Sequence, residues 1–361
     1  MKMSRGFLRV ALLIAFMAVV CGLASRGFAC PDEGKSLVTL PLPSHAAAGP
    51  CDRACLYKFV DMYFDALVSH CACGISLAPD VKYTENGQGV KPGEGIWKTF
   101  TGRGTYRVYL ADSANGEVAY YGDYNEFKTL FGVIALRLRV KDHQITEVEA
   151  ILDRQQLRPG GGLSLNTAGV MTPVMIDELK PGGFISPDAA LLKPTPAAER
   201  MTRDQLIATA DHYYEGFAQN KGSIVPFADG CARRENGILA TNNNAGPVLD
   251  PAQPSFRAYS QSCAGELDRG FFSALMKLGE KRYWVIDEEQ GLALSLALFD
   301  NEGNVKTVSV AGVGNVTVPR AFLRPITFLA PQIFKIEGGK VVQIEGLSWP
   351  VPYGKRSGWN P

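Results

Sequence analysis

The sequence predicts an α+β fold built twice in tandem. Three observations predict it: motifs that recur at a displacement of 150 residues, an apolar helical stripe at the head of each copy, and alternating β-type segments behind each stripe. Asp61-Met-Tyr-Phe returns as Asp211-His-Tyr-Tyr, and Tyr83-Thr-Glu85-Asn-Gly returns as Arg233-Arg-Glu235-Asn-Gly. Two elements repeated in register imply two homologous domains, each with its own core. A chain of 361 residues, 46% hydrophobic and 20% charged, is long enough for both.

The first 29 residues carry Lys2, Arg5 and Arg9, then an apolar run from Val10 to Ala24, then Gly27-Phe28-Ala29 as a small-residue cleavage site. This is the pattern of an export signal, and it predicts a secreted or periplasmic protein. The run is short for a membrane span, which needs ~20 residues, and no later segment approaches that length. Cleavage after Ala29 exposes Cys30, where a lipid could attach, although Gly27-Phe28-Ala29 lacks the Leu that usually opens a lipobox. Removing the signal takes four basic residues and no acidic one, leaving 33 basic against 36 acidic side chains. A slightly acidic surface offers phosphate backbones no footprint, so nucleic acid is not an expected partner.

An exported chain meets oxidising conditions, so its cysteines read as disulfides. Cys231 and Cys263 are alone in the second copy and flank an Asn/Pro-rich stretch, which pairs them. Cys51 and Cys55 sit before or at the start of the first helix, while Cys71 and Cys73 follow its end. A helix of about 15 residues is roughly 22 Å long, too far for a bond that needs Cα atoms within about 7 Å. Cys51 with Cys55 is therefore the favoured pair, Cys71 and Cys73 stay unassigned, and a zinc site from these four is the rival reading.

The elements follow in order. Leu56, Phe59, Val60, Tyr63, Phe64, Leu67 and Val68 form one apolar helical stripe. Leu206, Ala210, Tyr213, Tyr214 and Phe217 repeat it, and Thr202 with Gln205 reads as a capping box. Next comes the Glu-Asn-Gly element, Leu77 to Gly87 against Phe227 to Gly237. Beyond it the displacement grows. Ile96 to Asp112 matches Phe271 to Asp287 at 175, placing Arg107 on Arg282 and Tyr109 on Trp284, and Ile145 to Ile151 matches Val341 to Leu347 at 196, placing Glu149 on Glu345. Insertions in the second copy thus lie around Thr241 to Cys263 and Asn301 to Pro325, the latter as a lengthened hairpin. Val118 to Tyr121, Gly132 to Val140 and the last segment read as consecutive hairpin-linked strands. The expected division is 1–29 signal, 46–157 first domain, 158–199 Gly/Pro-rich connection and 200–355 second domain, with Val174 to Leu179 and Ala189 to Leu192 docking on a domain.

A leading helix with Tyr63-x-x-Ala66-Leu67, an acidic residue about 22 positions later and a closing meander resembles the nuclear transport factor 2-like superfamily, which includes SnoaL-like cyclases and ketosteroid isomerase. The segments CDRACL, LAPDVKYTENG and PFADGCARRENG resemble exported tandem proteins of this class. The resemblance implies two cone-shaped domains, each a long helix plus short helices on a curved antiparallel sheet, enclosing a pocket for a small apolar or aromatic molecule. It places the phenol of the isomerase on Tyr63 and the base on Glu85, with Tyr213 and Glu235 in the second copy. Its protonated aspartate falls near Leu136 and Gln332, so the first copy lacks that partner unless Arg107 or Arg282 points inward. Tyr83, Arg107, Tyr109, Glu149, Arg282, Trp284 and Glu345 are the implied ligand-binding positions. The tandem is expected to imitate a sheet-to-sheet dimer within one chain, or to form a homodimer.

Structural readings stand beside these. Tyr63 and Tyr213 fit a core with satisfied hydroxyls, and Glu85 and Glu235 fit braces for the following Asn-Gly turn. Glu149 and Glu345 alternate with apolar residues, which puts them on the opposite, solvated face, where the arginines would pair with them inside one domain. His45, His70, His143 and His212 form no metal spacing, His70 reads as a helix-end residue, and no phosphate loop, dinucleotide fingerprint or nucleophile elbow occurs. No metal or cofactor is expected. The functional expectation is small-molecule binding, with cofactor-free isomerase, dehydratase or lyase chemistry as one form of it, and a non-catalytic carrier or protein-interaction module as the alternative.

Overall fold

The computed structural model describes residues 50–154 except 129, the backbone of 161–165 and 171–175, and residues 187–359 except 245–249, 251 and 253–258. The stretch expected to be an export signal, Cys30, His45 and residues 176–179 lie outside the described residues.

Helix α1 (Arg53–Val68) starts where the Asp52 side chain accepts the Cys55 amide, and it buries Leu56, Phe59, Val60, Tyr63, Phe64 and Leu67. It ends at Ser69, beyond which His70 turns to φ 53° and bonds the Trp97 carbonyl through its ring. The helix packs on a six-stranded sheet: β1 (Leu77–Glu85), β2 (Gln88–Gly89), β3 (Phe100–Asp112), β4 (Glu117–Glu126), β5 (Leu130–Lys141) and β6 (Gln144–Asp153), in the order β2-β1-β6-β5-β4-β3. The expected all-antiparallel sheet is corrected here, because β1 runs parallel to β6. The two strands are joined by residues 86–143, which run through β2 to β5, and a parallel partner needs such a crossover.

A hairpin of two short strands, β7 (Gly161–Leu165) and β8 (Met171–Met175), follows within the connection, and α2 (Ala189–Leu192) then buries Leu191. Helix α3 (Arg203–Gln219) carries the Thr202–Gln205 capping box and ends at Asn220, also at φ 53°. Behind it lie β9 (Phe227–Glu235), β10 (Ile238–Leu239), α4 (Cys263–Arg269), α5 (Phe271–Leu275), β11 (Lys277–Asp287), β12 (Leu292–Asn301), a hairpin of β13 (Thr307–Val310) and β14 (Gly314–Thr317), then β15 (Ile326–Glu337), β16 (Lys340–Gly346) and β17 (Trp349–Pro352). The second sheet reads β10-β9-β16-β15-β12-β11, the same order as the first, with β9 parallel to β16 and β17 added on β15. The insertion expected around Asn301 to Pro325 is the β13–β14 hairpin, packed on α5.

The Glu-Asn-Gly element is a tight turn in both halves. Asn86 (φ 48°) with Gly87 (φ 71°), and Asn236 (φ 48°) with Gly237 (φ 80°), take the left-handed pair of angles that a two-residue hairpin turn needs. Each asparagine amide then clasps the strand beyond: Leu152 N donates to Asn86 Oδ1 (2.8 Å), and Ser348 N to Asn236 Oδ1 (2.7 Å). The Cys51–Cys55 and Cys231–Cys263 disulfides are formed, at sequence separations of 4 and 32, and Cys71 is also disulfide-bonded. In the chain-entropy picture the short loop contributes about 2 kcal/mol and the long one about 4.

The two sheets pack face to face. Val108, Leu110, Ala119, Tyr121, Ala135 and Ile151 of the first meet Leu294, Leu296, Leu298, Leu329, Ile333 and Leu347 of the second, while the helices cover the outer faces. Reciprocal ion pairs close this contact. Arg53, at the start of α1, forks onto Asp287 at the end of β11 (2.7 and 2.6 Å), and Arg203, at the start of α3, pairs with Asp112 at the end of β3. The C-terminal tail crosses back as well: Arg356 pairs with Asp300 (3.1 Å), and Trp359 reaches the first half, where Nε1 donates to Thr84 Oγ1 (2.7 Å) and Lys82 Nζ lies 4.2 Å from its ring centre.

Glu149 and Glu345 are not on solvated faces. They lie between the sheets at 1% and 0% exposure, because the face opposite the helix is covered by the other half. Arg282 does pair with Glu149 (2.6 Å), but across the two halves and not within one. Burial raises both carboxyls to about 7 from the ordinary 4.5, against the opposing pull of Arg282 and Arg137 on Glu149 and of Tyr106, Gln343 and Arg234 on Glu345. Between those pH values the folded chain holds protons that the unfolded chain releases, so this stabilisation is full below about pH 4.5 and is lost as pH rises through 7. Urea unfolding from pH 4.5 to 8 should therefore show a stability advantage of the wild type over Glu149→Gln/Glu345→Gln that shrinks with pH. An advantage that grows would refute the assignment.

Candidate functional site

In the first half Tyr63 of α1 donates to the Tyr83 hydroxyl (3.0 Å), which donates to Glu85 Oε1 (2.7 Å). Tyr83 and Glu85 share a face of β1 because they are two residues apart, and the helix stripe brings Tyr63 over them. All three are buried. The Ile96 amide also donates to the carboxylate (2.8 Å), at the head of a 3-10 turn over Gly95–Lys98, and Arg154 lies 3.5 Å away. Gly95 sits at φ 60°, and a Cβ there would stand 2.3 Å from Glu85 Oε2. The turn thus closes directly on the carboxylate. Burial raises the Glu85 carboxyl, opposed by the Tyr83 bond, the Ile96 amide and Arg154, and burial also raises both phenols. Rings of Trp97, Phe64, Phe100 and Tyr120 pack around Tyr63 and its neighbours at 4.7–5.9 Å between centres, and Leu136 is buried among them. The arrangement is a phenol relay ending on a carboxylate whose acceptors are largely occupied.

In the second half Arg233 stands where the first has Tyr83, and it changes the chemistry. Its guanidinium is buried, donates to Glu266 Oε1 of α4 (2.8 Å) and bonds Glu235, while its main-chain amide donates to Thr241 Oγ1 (2.9 Å). Tyr213 is buried in the same cluster and is pushed up to about 12, by burial chiefly and against the pull of Arg233. Burial likewise raises Glu266 and Tyr259. Gln332 joins the group: a Cβ on Gly346 would lie 3.8 Å from Gln332 Cγ and 3.9 Å from Glu235 Oε2. Arg233 Nε, Glu266 Oε2 and Gln332 Oε1 are buried without hydrogen-bond partners. One cation thus faces two carboxylates, with three polar atoms unspent. Arg233 and Glu266 were not among the predicted site residues, although the replacement of Tyr83 by Arg233 inside an otherwise matched motif was the signal for the first.

The other predicted positions do not join these clusters. Arg107 is exposed and donates to the Gly104 carbonyl (2.7 Å), while Arg282 and Trp284 lie with Glu149 and Glu345 in the layer between the sheets. Trp284 does not match Tyr109, because a bulge between Tyr283 and Val285 shifts the register, and Tyr283 takes the place of Tyr109. Tyr109 donates to Asp61 (2.7 Å) and Tyr283 to Asp211 (2.5 Å); Arg103 and Lys281 pair with the same aspartates and lie over Phe64 and Tyr214. This helix-to-strand clamp accounts for the recurrence of Asp61 and Asp211.

The family model for a domain of unknown function, DUF8021, matches residues 199–348, from the residues before α3 to the end of β16. No curated protein matches the chain. Among solved structures, a protein provisionally named a polyketide cyclase, from Silicibacter sp. tm1040, aligns at 12% identity and a TM-score of 0.25, covering 41% of this chain and 92% of its own. A superposition that loose carries no argument about fold or chemistry.

The acceptor role of Glu85 is open to measurement. Glu85→Ala would leave the Tyr83 hydroxyl and the Ile96 amide without an acceptor, a cost of about 1–3 kcal/mol in urea unfolding, whereas Glu85→Gln keeps an acceptor and should cost less. Equal losses would show that the carboxylate does not organise the turn.

Proposed function

We propose that the chain is an exported protein of two nuclear transport factor 2-like domains, 46–157 and 200–355, joined by 158–199, and that it binds a small, largely apolar molecule in the second. The observation that carries this is the set of unspent polar atoms on Arg233, Glu266 and Gln332, buried beside Tyr213. Leaving a buried charged group short of partners costs more than an ordinary hydrogen bond returns, and a ligand with a polar head would recover that cost while its body meets the apolar side of α3. The limits of the DUF8021 match, which lie close to those of the second domain, support treating it as a unit. The first domain serves as a scaffold, because its equivalent carboxylate is committed to Tyr83 and the Ile96 amide.

Binding is favoured over proton transfer. Arg233 holds the Glu235 oxygen that a base would use, so Glu235 with Tyr213 makes a poorer acid–base pair than an orienting pair for a ligand. Mass spectrometry of small molecules extracted from purified protein tests this. One compound near stoichiometric amount is expected from the wild type and from Glu85→Gln, and much less from Arg233→Met/Glu235→Gln/Glu266→Gln, which removes the cation together with both carboxylates it faces and so strands no charge among them. Equal recovery from all three would locate binding elsewhere, and an empty wild-type extract would remove the reading.

A further inference from the structure

One cluster of the first half has no part in the ligand reading. Cys51 precedes α1, Cys55 is its third residue, and His143 ends the β5–β6 turn; one ligand atom from each lies within 4.8 Å of the others, with Cys55 Sγ 3.9 Å from His143 Nδ1. An 88-residue separation between Cys55 and His143 hides this group from any reading of local spacing.

Three observations give the cluster weight. The Cys51–Cys55 bridge closes a very short loop, so it restrains the unfolded chain far less than Cys231–Cys263 does. The β5–β6 turn puts Asp142 and His143 at φ 50° and 56°, a left-handed pair that favours Asn-Gly or Gly-Gly, and the corresponding β15–β16 turn is indeed Gly338-Gly339. A histidine is the more strained choice there. Finally, the second half has Met201, Gln205 and Gly339 at the positions of Cys51, Cys55 and His143. The imidazole accompanies the two sulfurs in one half and is absent with them from the other.

We propose that the Cys51–Cys55 bridge opens reversibly and that the two sulfurs, with His143, then bind a thiophilic divalent ion of the zinc type. A dithiol reductant supplies two electrons and two protons, the S–S bond breaks into two thiols, and the reductant leaves as its own disulfide. The metal displaces both thiol protons to solvent, takes two thiolates and the lone pair of neutral Nδ1, and keeps water as fourth ligand. Metal–sulfur bonds of about 2.3 Å and metal–nitrogen bonds of about 2.0 Å put tetrahedral ligand atoms roughly 3.5–4 Å apart, the separation already present between Cys55 and His143. The start of α1 favours negative charge on Cys55, which helps the thiolate form. Partial exposure of Cys55 and His143 leaves room for entry.

The test uses the full chain, as isolated and after treatment with dithiothreitol followed by its removal, titrated anaerobically with Co2+. Reduced protein should take up one equivalent with sulfur-to-cobalt charge-transfer absorption and strong tetrahedral d–d bands, both removed by Zn2+, and oxidised protein should show neither. Cys51→Ser/Cys55→Ser should abolish the signal, which separates this site from any other cysteine released by reduction. His143→Gly installs the residue of the matching turn, so folding is preserved, and it should weaken Co2+ binding at least tenfold. The proposal is overturned by a bridge that the dithiol cannot open in folded protein, by absence of the bands in reduced wild type, by their survival in the serine variant, or by unchanged affinity in His143→Gly.

Discussion

The contact between the two sheets is the constraint on which the rest of the molecule depends. It buries the face that each sheet would otherwise turn to water, and the crossed pairs Arg53–Asp287 and Arg203–Asp112 fix its register from both ends. Asp287 is fully buried and also accepts the Ala111 amide (2.9 Å), so the first half completes the coordination of a second-half carboxylate. Such a pair adds little net stability over an apolar substitute, but removing one partner costs about 3–5 kcal/mol. Its effect is specificity: only one sliding position of the sheets satisfies both pairs.

With the inner faces committed to each other, chemistry is left to the outer layers between helix and sheet, and there the halves differ through one substitution. A phenol at Tyr83 and the Ile96 amide of the closing turn donate to Glu85, with Arg154 3.5 Å away. A guanidinium at Arg233 draws in a second carboxylate from α4, an element the first half does not have. The scaffold is kept while a carboxylate held by a phenol and an amide gives way to a guanidinium facing two carboxylates.

Much of this was legible from residue pattern. Both long helices and the capping box of the second follow from local signals that act within a few residues, and the Cys231–Cys263 loop and the approximate insertions follow from cysteine count and from the growing displacement between the copies. The Asn-Gly turns were legible too, since only left-handed angles suit that pair. Three features were not. The parallel pairing of β1 with β6 is a non-local contact, made only after the chain has run through β2 to β5. The burial of Glu149 and Glu345 has no local signature, because an alternating pattern separates two faces without saying what covers the second. The exchange of Trp284 for Tyr283 arises from a bulge, which shifts register by one residue and leaves no mark in composition. Within the candidate site, Tyr213, Glu235 and Gln332 could be placed by alignment, but Glu266 comes from α4, just past the inserted stretch, where the first half offers no matching helix.

The path of the C-terminal tail bears on how the molecule comes apart. Trp359 belongs to the chain that follows the second sheet, yet it is seated against Lys82 and Thr84 beside the first. A protease that nicked the connection between the halves would therefore release no free fragment, because the last residues still clasp the opposite half together with the apolar layer and the crossed ion pairs. Covalent continuity and mechanical integrity are separate properties here, and loss of a few terminal residues would weaken the second while leaving the first intact.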